Sequence, residues 1–413
     1  LNSEAPPLLR PWVASTLLVL SSLLMVPTAI DFQFPTLLRA AKTMTDFDAF
    51  YVAGQMYWDG RLNDAYHFQT LYEAQRRFTG SNSFMPWAYP PPFNLVTAAL
   101  ASLPIGIAYL AFAGLSFLAY VAVLRRLAGV HAATALVAVL PAVLLNIRSG
   151  QNGFLTGALL GLFLLSYLRG LGGGGVALGL MTFKPHLAVG GAVLACVDWR
   201  WRRIVAGGVT VLALLALSAG VFGVGVFPAF LGGVEEAGHF LALGLYPLFR
   251  MTSLYATLFT AGAPPGLALA LQAGTMLAAC IAIAAVAIRC GDRRQVAALA
   301  AFGSMLMSPY NYDYDLTILG VAAAILWPVL VTRARPARLF GLIALSWLAC
   351  GWGLLVSIWE ETGAQRTGVS LDPVLLPSVS SIVLMVLLIA VVATLRKPSV
   401  PSTDALGSAV AAQ

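Results

Sequence analysis

The residues able to do chemistry in this 413-residue chain stand at the edges of long apolar runs. A charged side chain in a membrane-like segment costs about 2.5–3.5 kcal/mol on insertion scales, so each such group needs a partner or a task. Asp46 and Asp48 sit in TDFDAFY, soon after the first apolar run. Two carboxylates at i and i+2 of a helix point in different directions, so one of them faces any cavity. A carboxylate pushed towards neutrality by burial serves as a general base; the blander reading makes Asp46 a helix N-cap after Thr45. Lys184, in LMTFKPH, is a cation between two apolar runs. It suits the phosphate of a lipid carrier, with His186 as helper, or else it snorkels to headgroups. In NIRSGQNG, Arg148 offers a bidentate phosphate contact, while Gln151 and Asn152 offer hydrogen bonds to sugar hydroxyls; the alternative is a polar glycine turn. SPYNYDYD alternates Tyr310, Tyr312 and Tyr314 with Asn311, Asp313 and Asp315. Aromatic faces and carboxylates together stack on and hydrogen-bond a sugar ring, although tyrosines also form interfacial belts. The weakest group is Glu235, Glu236, His239 and Arg250, of which Arg250, just before an apolar run, is a second phosphate ligand candidate.

Hydrophobic residues make up 59% of the chain and charged ones 10%, with mean hydropathy +0.85. Soluble domains carry about 25% charged residues. A soluble enzyme, a secreted disulfide scaffold and a disordered protein are therefore excluded, and lipid is the solvent for most of the chain. Spans need about 20 apolar residues. Runs at about 12–30, 105–124, 131–147, 153–168, 172–183, 186–198, 204–224, 265–288, 295–309, 316–332, 338–356 and 374–395 predict an all-α polytopic bundle of about 12 helices in a single transmembrane domain, 1–413. The two runs beside Lys184 are too short to cross alone and read as broken helices. The first run has no cleavage site before Asp31 and reads as a retained span. A first external loop, 31–104, carries amphipathic interfacial helices and ends in the proline-bounded segment 91–103, too short to span. Further external loops cover 225–264 and 357–373, and 398–413 reads as a flexible cytoplasmic tail.

The chain has 24 Lys+Arg and 17 Asp+Glu, net +7. With both termini cytosolic, 15 basic residues, including the arginine clusters at 125–126, 200–203, 293–294 and 333–338, fall inside, and 13 acidic residues fall outside. That leaves the inner face at +11 and the outer face at −4, which places the chemistry on the acidic, periplasmic side. No basic stripe with interleaved aromatics points to nucleic acid. The four cysteines lie in or beside apolar runs and predict neither disulfide nor metal site. GLGGGGVALG lacks the G-K-[ST] of a phosphate loop and reads as close helix packing. Scarce lysine, three against 21 arginines, points to a GC-rich genome and hence a bacterial inner membrane.

The order of DFDAFY after the first span, AYH, PPPF ahead of a Leu-Pro, SGQNG, FKP and SPYNYDYDL resembles glycosyltransferase family 87 from about residue 40 to 320. These are polytopic C-type (GT-C) glycosyltransferases that include polyprenyl-phosphate-mannose-dependent α-mannosyltransferases. The resemblance implies metal-independent, inverting transfer, without a cofactor, from a polyprenyl-phosphate sugar donor, mannose foremost. The acceptor would be a hydroxyl of an envelope glycolipid or glycan. It makes Asp46 the base, with Asp48 as runner-up, and gives Lys184 the leaving phosphate, helped by Arg148, Arg250 or His186. Sugar and acceptor contacts fall to Gln151, Asn152, Tyr310, Asn311, Asp313 and His67, in a monomer among membrane lipids. A lipid-linked-sugar flippase or secondary transporter is the competing reading. Such folds usually show two similar halves, and the Lys-Pro pair has no counterpart in the second half.

Overall fold

The computed structural model describes residues 11–35, 43–367 and 376–396; the expected tail, 398–413, lies outside them. Helix α1 (Pro11–Gln33) is followed by three short helices, α2 (Asp46–Trp58), α3 (Phe68–Thr79) and α4 (Pro91–Leu100). Gly80, left-handed at φ 71°, stops α3, and prolines fill the first turn of α4, where a missing amide leaves nothing unpaired. Helices α5 (Ile105–Tyr109) and α6 (Leu115–Ala128) are joined by a wider helical turn at Leu110–Gly114. Pro141 opens α8 (Leu140–Ser149) and separates it from α7 (Ala132–Ala138). Then come α9 (Gly153–Leu168), α10 (Gly175–Leu180), α11 (Pro185–Val197), α12 (Trp201–Phe222), α13 (Val226–Ala242), α14 (Leu254–Thr260) and α15 (Pro265–Arg289). Helices α16 (Arg293–Ser304), α17 (Thr317–Arg333), α18 (Pro336–Thr367) and α19 (Ser380–Leu395) complete the bundle.

Among the described residues six helical stretches are long and apolar enough to cross a membrane: Ser15–Gln33, Ile105–Ala138, Trp201–Phe222, Pro265–Arg289, Asp313–Arg333 and Pro336–Trp359. Shorter apolar helices cover Gly153–Leu168, Pro185–Val197 and Ser380–Leu395. The all-helical membrane architecture therefore stands, with six long apolar helices where the sequence offers twelve apolar runs. Helix α18 also continues to Thr367, through most of the expected 357–373 loop. Apolarity ends near residue 356, but no proline follows until Pro373, so the backbone has no reason to stop there.

Helices α9 and α17 are apolar on all sides and form the buried middle of the bundle. Helices α12 and α15 lie at its outside, with 6% and 17% of their apolar windows buried, and both pack on α11. The glycine-rich segment makes close helix contact: Gly175 and Gly179 of α10 lie against the Arg203 and Gly207 carbonyls of α12. Arginines knit one end of the bundle. Arg203 is buried, pairs with Asp198 at 2.6 Å and donates to the Leu171 carbonyl at 2.9 Å. Arg294 donates to the Ile325 carbonyl at 3.2 Å, Arg338 to Thr394 Oγ1 at 2.7 Å, and Arg333 to the Leu395 carbonyl.

A methyl added at Gly179 would sit 2.6 Å from the Gly207 carbonyl oxygen, whereas one at Gly173 meets nothing within 4 Å. Gly179→Ala is expected to destabilise the protein by about 1–3 kcal/mol through overpacking. Gly173→Ala is expected to leave thermal unfolding in detergent unchanged.

Candidate active site

Thr45 is the N-cap of α2, and Asp48, not Asp46, is its capping carboxylate. The Thr45 amide and hydroxyl donate to Asp48 Oδ2 at 3.0 and 2.8 Å, and Asp48 is fully buried. The capping reading of Asp46 is thereby corrected, because the carboxylate that reaches back to the cap residue is the one at the third helical position. Asp46 points elsewhere, and its Oδ1 accepts from Gln151 Nε2 at 2.8 Å.

Gln151 presents its amide to Asp46 in one orientation. Its Oε1 accepts from the Tyr89 hydroxyl at 3.1 Å and from the Asn152 amide at 2.7 Å, so the face left for Asp46 is the NH₂. Asn152 Nδ2 donates in turn to the Tyr89 hydroxyl at 3.0 Å. Tyr89 is held by its backbone, whose carbonyl accepts from the Tyr66 hydroxyl at 2.9 Å. Asn94 bonds both that hydroxyl, at 2.8 Å, and Trp87 Nε1, at 3.1 Å. The SGQNG turn comes close to α2 because Gly150 is left-handed (φ 64°) and has no Cβ, which would stand 2.5 Å from Phe47 Cβ.

Two cations flank this group. Lys184, the N-cap of α11, is buried with Nζ 2.7 Å from Asp315 Oδ1 and 4.8 Å from the centre of the Tyr314 ring. Arg250 clasps Asp313 with two bonds, Nη2 to Oδ1 at 2.9 Å and Nε to Oδ2 at 3.1 Å. Gly353 of α18 packs against that pair, where a Cβ would meet Asp313 Oδ2 and come within 3.0 Å of Arg250 Cγ. Burial raises the Asp46 carboxyl above its usual range, against the opposing pull of Arg250, Lys184 and the Gln151 bond. Burial works against the Arg250 charge, but Asp313 and Asp46 hold its pKa above the ordinary value. Burial, with Asp46 and Asp315 nearby, holds the Tyr89 hydroxyl well above its usual value, so it remains a proton donor.

Asn146 fastens the two motif segments together. Its Nδ2 donates to the Tyr314 carbonyl at 2.9 Å, and its Oδ1 accepts from the Gly153 amide at 2.8 Å. Thr317 Oγ1 adds a bond to the Gly153 carbonyl at 2.7 Å.

The structure thus brings together Asp46, Gln151, Asn152, Lys184, Arg250, Asp313 and Asp315, and adds Tyr89. Other expected site residues have different surroundings. Arg148 is exposed on the last turn of α8, and His67 is exposed between the 62–66 turn and α3. Asn311 holds its own loop together, with Nδ2 on the Met305 carbonyl at 2.6 Å and its carbonyl accepting from the Thr252 amide at 2.8 Å. Tyr310 lies edge-on to Tyr312 at 5.2 Å, and Tyr312 stacks on Tyr314 at 5.2 Å. His186 Nε2 is buried with no hydrogen-bond partner. Glu236 is structural, accepting from the Phe68 amide at the start of α3 at 2.9 Å. The signal for Tyr89 was an aromatic fixed by the three prolines after it, Pro90 to Pro92.

Asn146→Ala would orphan the buried Tyr314 carbonyl and Gly153 amide at about 1–3 kcal/mol each. It is expected to lower the thermal unfolding temperature, whereas Arg148→Ala, at an exposed position, is expected to shift it little.

The sequence model of glycosyltransferase family 87 matches residues 87–309, more than half of the chain. Neither the curated proteins nor the solved structures contain a match. The matched span includes Tyr89, Gln151, Asn152, Lys184 and Arg250, while Asp46, Asp313 and Asp315 lie outside it and join them only in space. The chain belongs to glycosyltransferase family 87 and is a membrane glycosyltransferase.

Proposed function

We propose that the chain transfers a sugar, mannose foremost, from a polyprenyl-phosphate donor to a hydroxyl of an envelope glycolipid or glycan, with inversion. The observation that carries this reading is Asp46, presented by Gln151 and subject to the fields of Lys184 and Arg250. The acceptor oxygen bonds to the anomeric carbon as the bond from that carbon to the phosphate oxygen breaks. The acceptor proton goes to Asp46, and the electron pair leaves with the polyprenyl phosphate, which gains one negative charge. Lys184 and Arg250 stabilise that developing charge, and a good leaving group of this kind needs no general acid. Asp315 and Asp313 keep the two cations aimed, so little reorganisation is required at the moment of reaction.

The tail of the donor has a lipid-facing approach beside α11, which α12 and α15 flank and whose N-cap is Lys184. Helix α17 runs from the Asp313–Asp315 turn to Arg333, so the site and the arginine-knit end lie at opposite ends of the bundle. By the positive-inside rule the arginine end is cytosolic. The site then faces the periplasm of a bacterial inner membrane, and both termini are cytoplasmic.

Membranes carrying the protein, supplied with labelled polyprenyl-phosphate mannose and an envelope lipid extract, test the reading. Asp46→Asn is expected to lower transfer by about 10²–10⁴-fold, the usual weight of a general base. Unchanged transfer by this variant, or flipping of the donor without transfer, would reject the proposal. Because the fold favours the protonated form of Asp46, the ionised group needed for catalysis lowers stability at neutral pH. Asp46→Asn is accordingly expected to melt at a higher temperature while inactive. Transfer should fall as pH drops through a limb lying above the ordinary carboxylate range.

Lys184→Met leaves Asp315 buried without its cation, at about 3–5 kcal/mol. The double variant Lys184→Met/Asp315→Asn is expected to recover thermal stability but not transfer. Recovery of transfer by the double variant would show Lys184 to be structural only.

A further inference from the structure

A cavity of about 380 Å³ lies away from Asp46, between α15, α16, α17, α18 and α19. That is within the range of ligand pockets, about 300–1,000 Å³. Its wall is apolar from Leu319, a turn beyond Asp315, down to Leu330 near the arginine-knit end. Of the side chains lining it, only Val392 and Arg396 are exposed and the others are buried or half-buried, so its most exposed part lies at the C-terminal end of α19.

That end is cationic. Arg396 lines it, while Arg333 and Arg338 bind the last turn of α19 through the Leu395 carbonyl and Thr394 Oγ1. The nearest acid in the sequence, Asp292, is occupied in capping α16, accepting from the Arg294 amide at 2.9 Å and from Gln295 Nε2 at 2.9 Å. A largely apolar slot whose most exposed end carries guanidinium groups suits a lipid, with the chain inside and the phosphate at the rim.

We infer that this cavity holds one acyl chain of an anionic phospholipid, with the headgroup phosphate on Arg396, at the end of the bundle opposite the transfer site. The occupant is a resident of that leaflet and distinct from the sugar donor. Its chain packs along α17, the helix that begins at Asp313 and Asp315, and so supports the helix on which both site cations depend.

Full-length protein in nanodiscs, exposed to phosphatidylglycerol bearing a photoreactive acyl chain, tests the inference by mapping labelled peptides. Label is expected on the stretches 319–330 and 387–396, and much less of it with the phosphatidylcholine analogue. Arg396→Gln, at an exposed position, is expected to weaken phosphatidylglycerol labelling about fivefold, the weight of one basic residue beside an anionic lipid. Ala323→Trp, which fills the slot, should remove it. Equal labelling by the two headgroups would overturn the inference, as would labelling that neither variant changes. Displacement of the label by equimolar polyprenyl phosphate but not by unlabelled phosphatidylglycerol would assign the cavity to the donor lipid and overturn it too.

Discussion

Buried charge in an apolar chain must be neutralised where it stands, and two ion pairs meet that demand at the candidate site. Lys184 with Asp315 and Arg250 with Asp313 link three segments far apart in sequence. The short turn at Asp313–Leu316 aims its two carboxylates at different partners, so one tetrapeptide anchors both the α11 cap and the loop before α14. Losing either partner of such a pair leaves an uncompensated charge, which is far more damaging than exchanging the pair for apolar residues. The pairs therefore dictate where α11, α17 and the 248–250 turn meet. They also leave Asp46 as a third carboxylate near two cations that already have partners. A group in that position is neither fully neutralised nor free of the field, and burial raises its pKa above the usual carboxylate range.

Much of this was legible in the sequence, for a physical reason. Charges at the borders of apolar runs are few, and each is expensive, so Asp46, Lys184, Arg250 and the YDYD run stand out. Residue type alone could not rank the two aspartates of TDFDAFY, because both the capping role and the cavity-facing role suit it; only the family resemblance put Asp46 first. Backbone geometry separates them: the carboxylate three residues after Thr45 turns back to cap it, and Asp46 turns to Gln151. Arg148 and Asn311 illustrate the opposite case. Their types fit phosphate and sugar, yet one is exposed and the other satisfies its own loop.

Tyr89 carried only a weak signal, the three prolines after it. An aromatic residue among aromatics carries no charge to mark it, and its role depends on the Gln151 amide lying 3.1 Å away. Helix ends were hidden too. Apolarity sets where lipid contact ends, whereas proline and glycine set where a helix ends, and in α18 the two differ by several residues.

The two ends of the bundle use charge in different ways. At the arginine end, guanidinium groups bind mainly backbone carbonyls, Leu171 after α9, Ile325 within α17 and Ala390 in α19, while Arg203 also pairs with Asp198. At the site end, cations bind carboxylates that the Asp313–Leu316 turn before α17 supplies. A cation on a backbone carbonyl holds helices together but has only a partial charge to answer it. A cation on a carboxylate is fully neutralised in the resting state. In the proposed reaction, a leaving phosphate that gained charge beside it would let the pair redistribute without any group moving far. Structural and chemical work are thus divided between the ends of one helix, α17, and the apolar length between them keeps the two charge systems from screening each other.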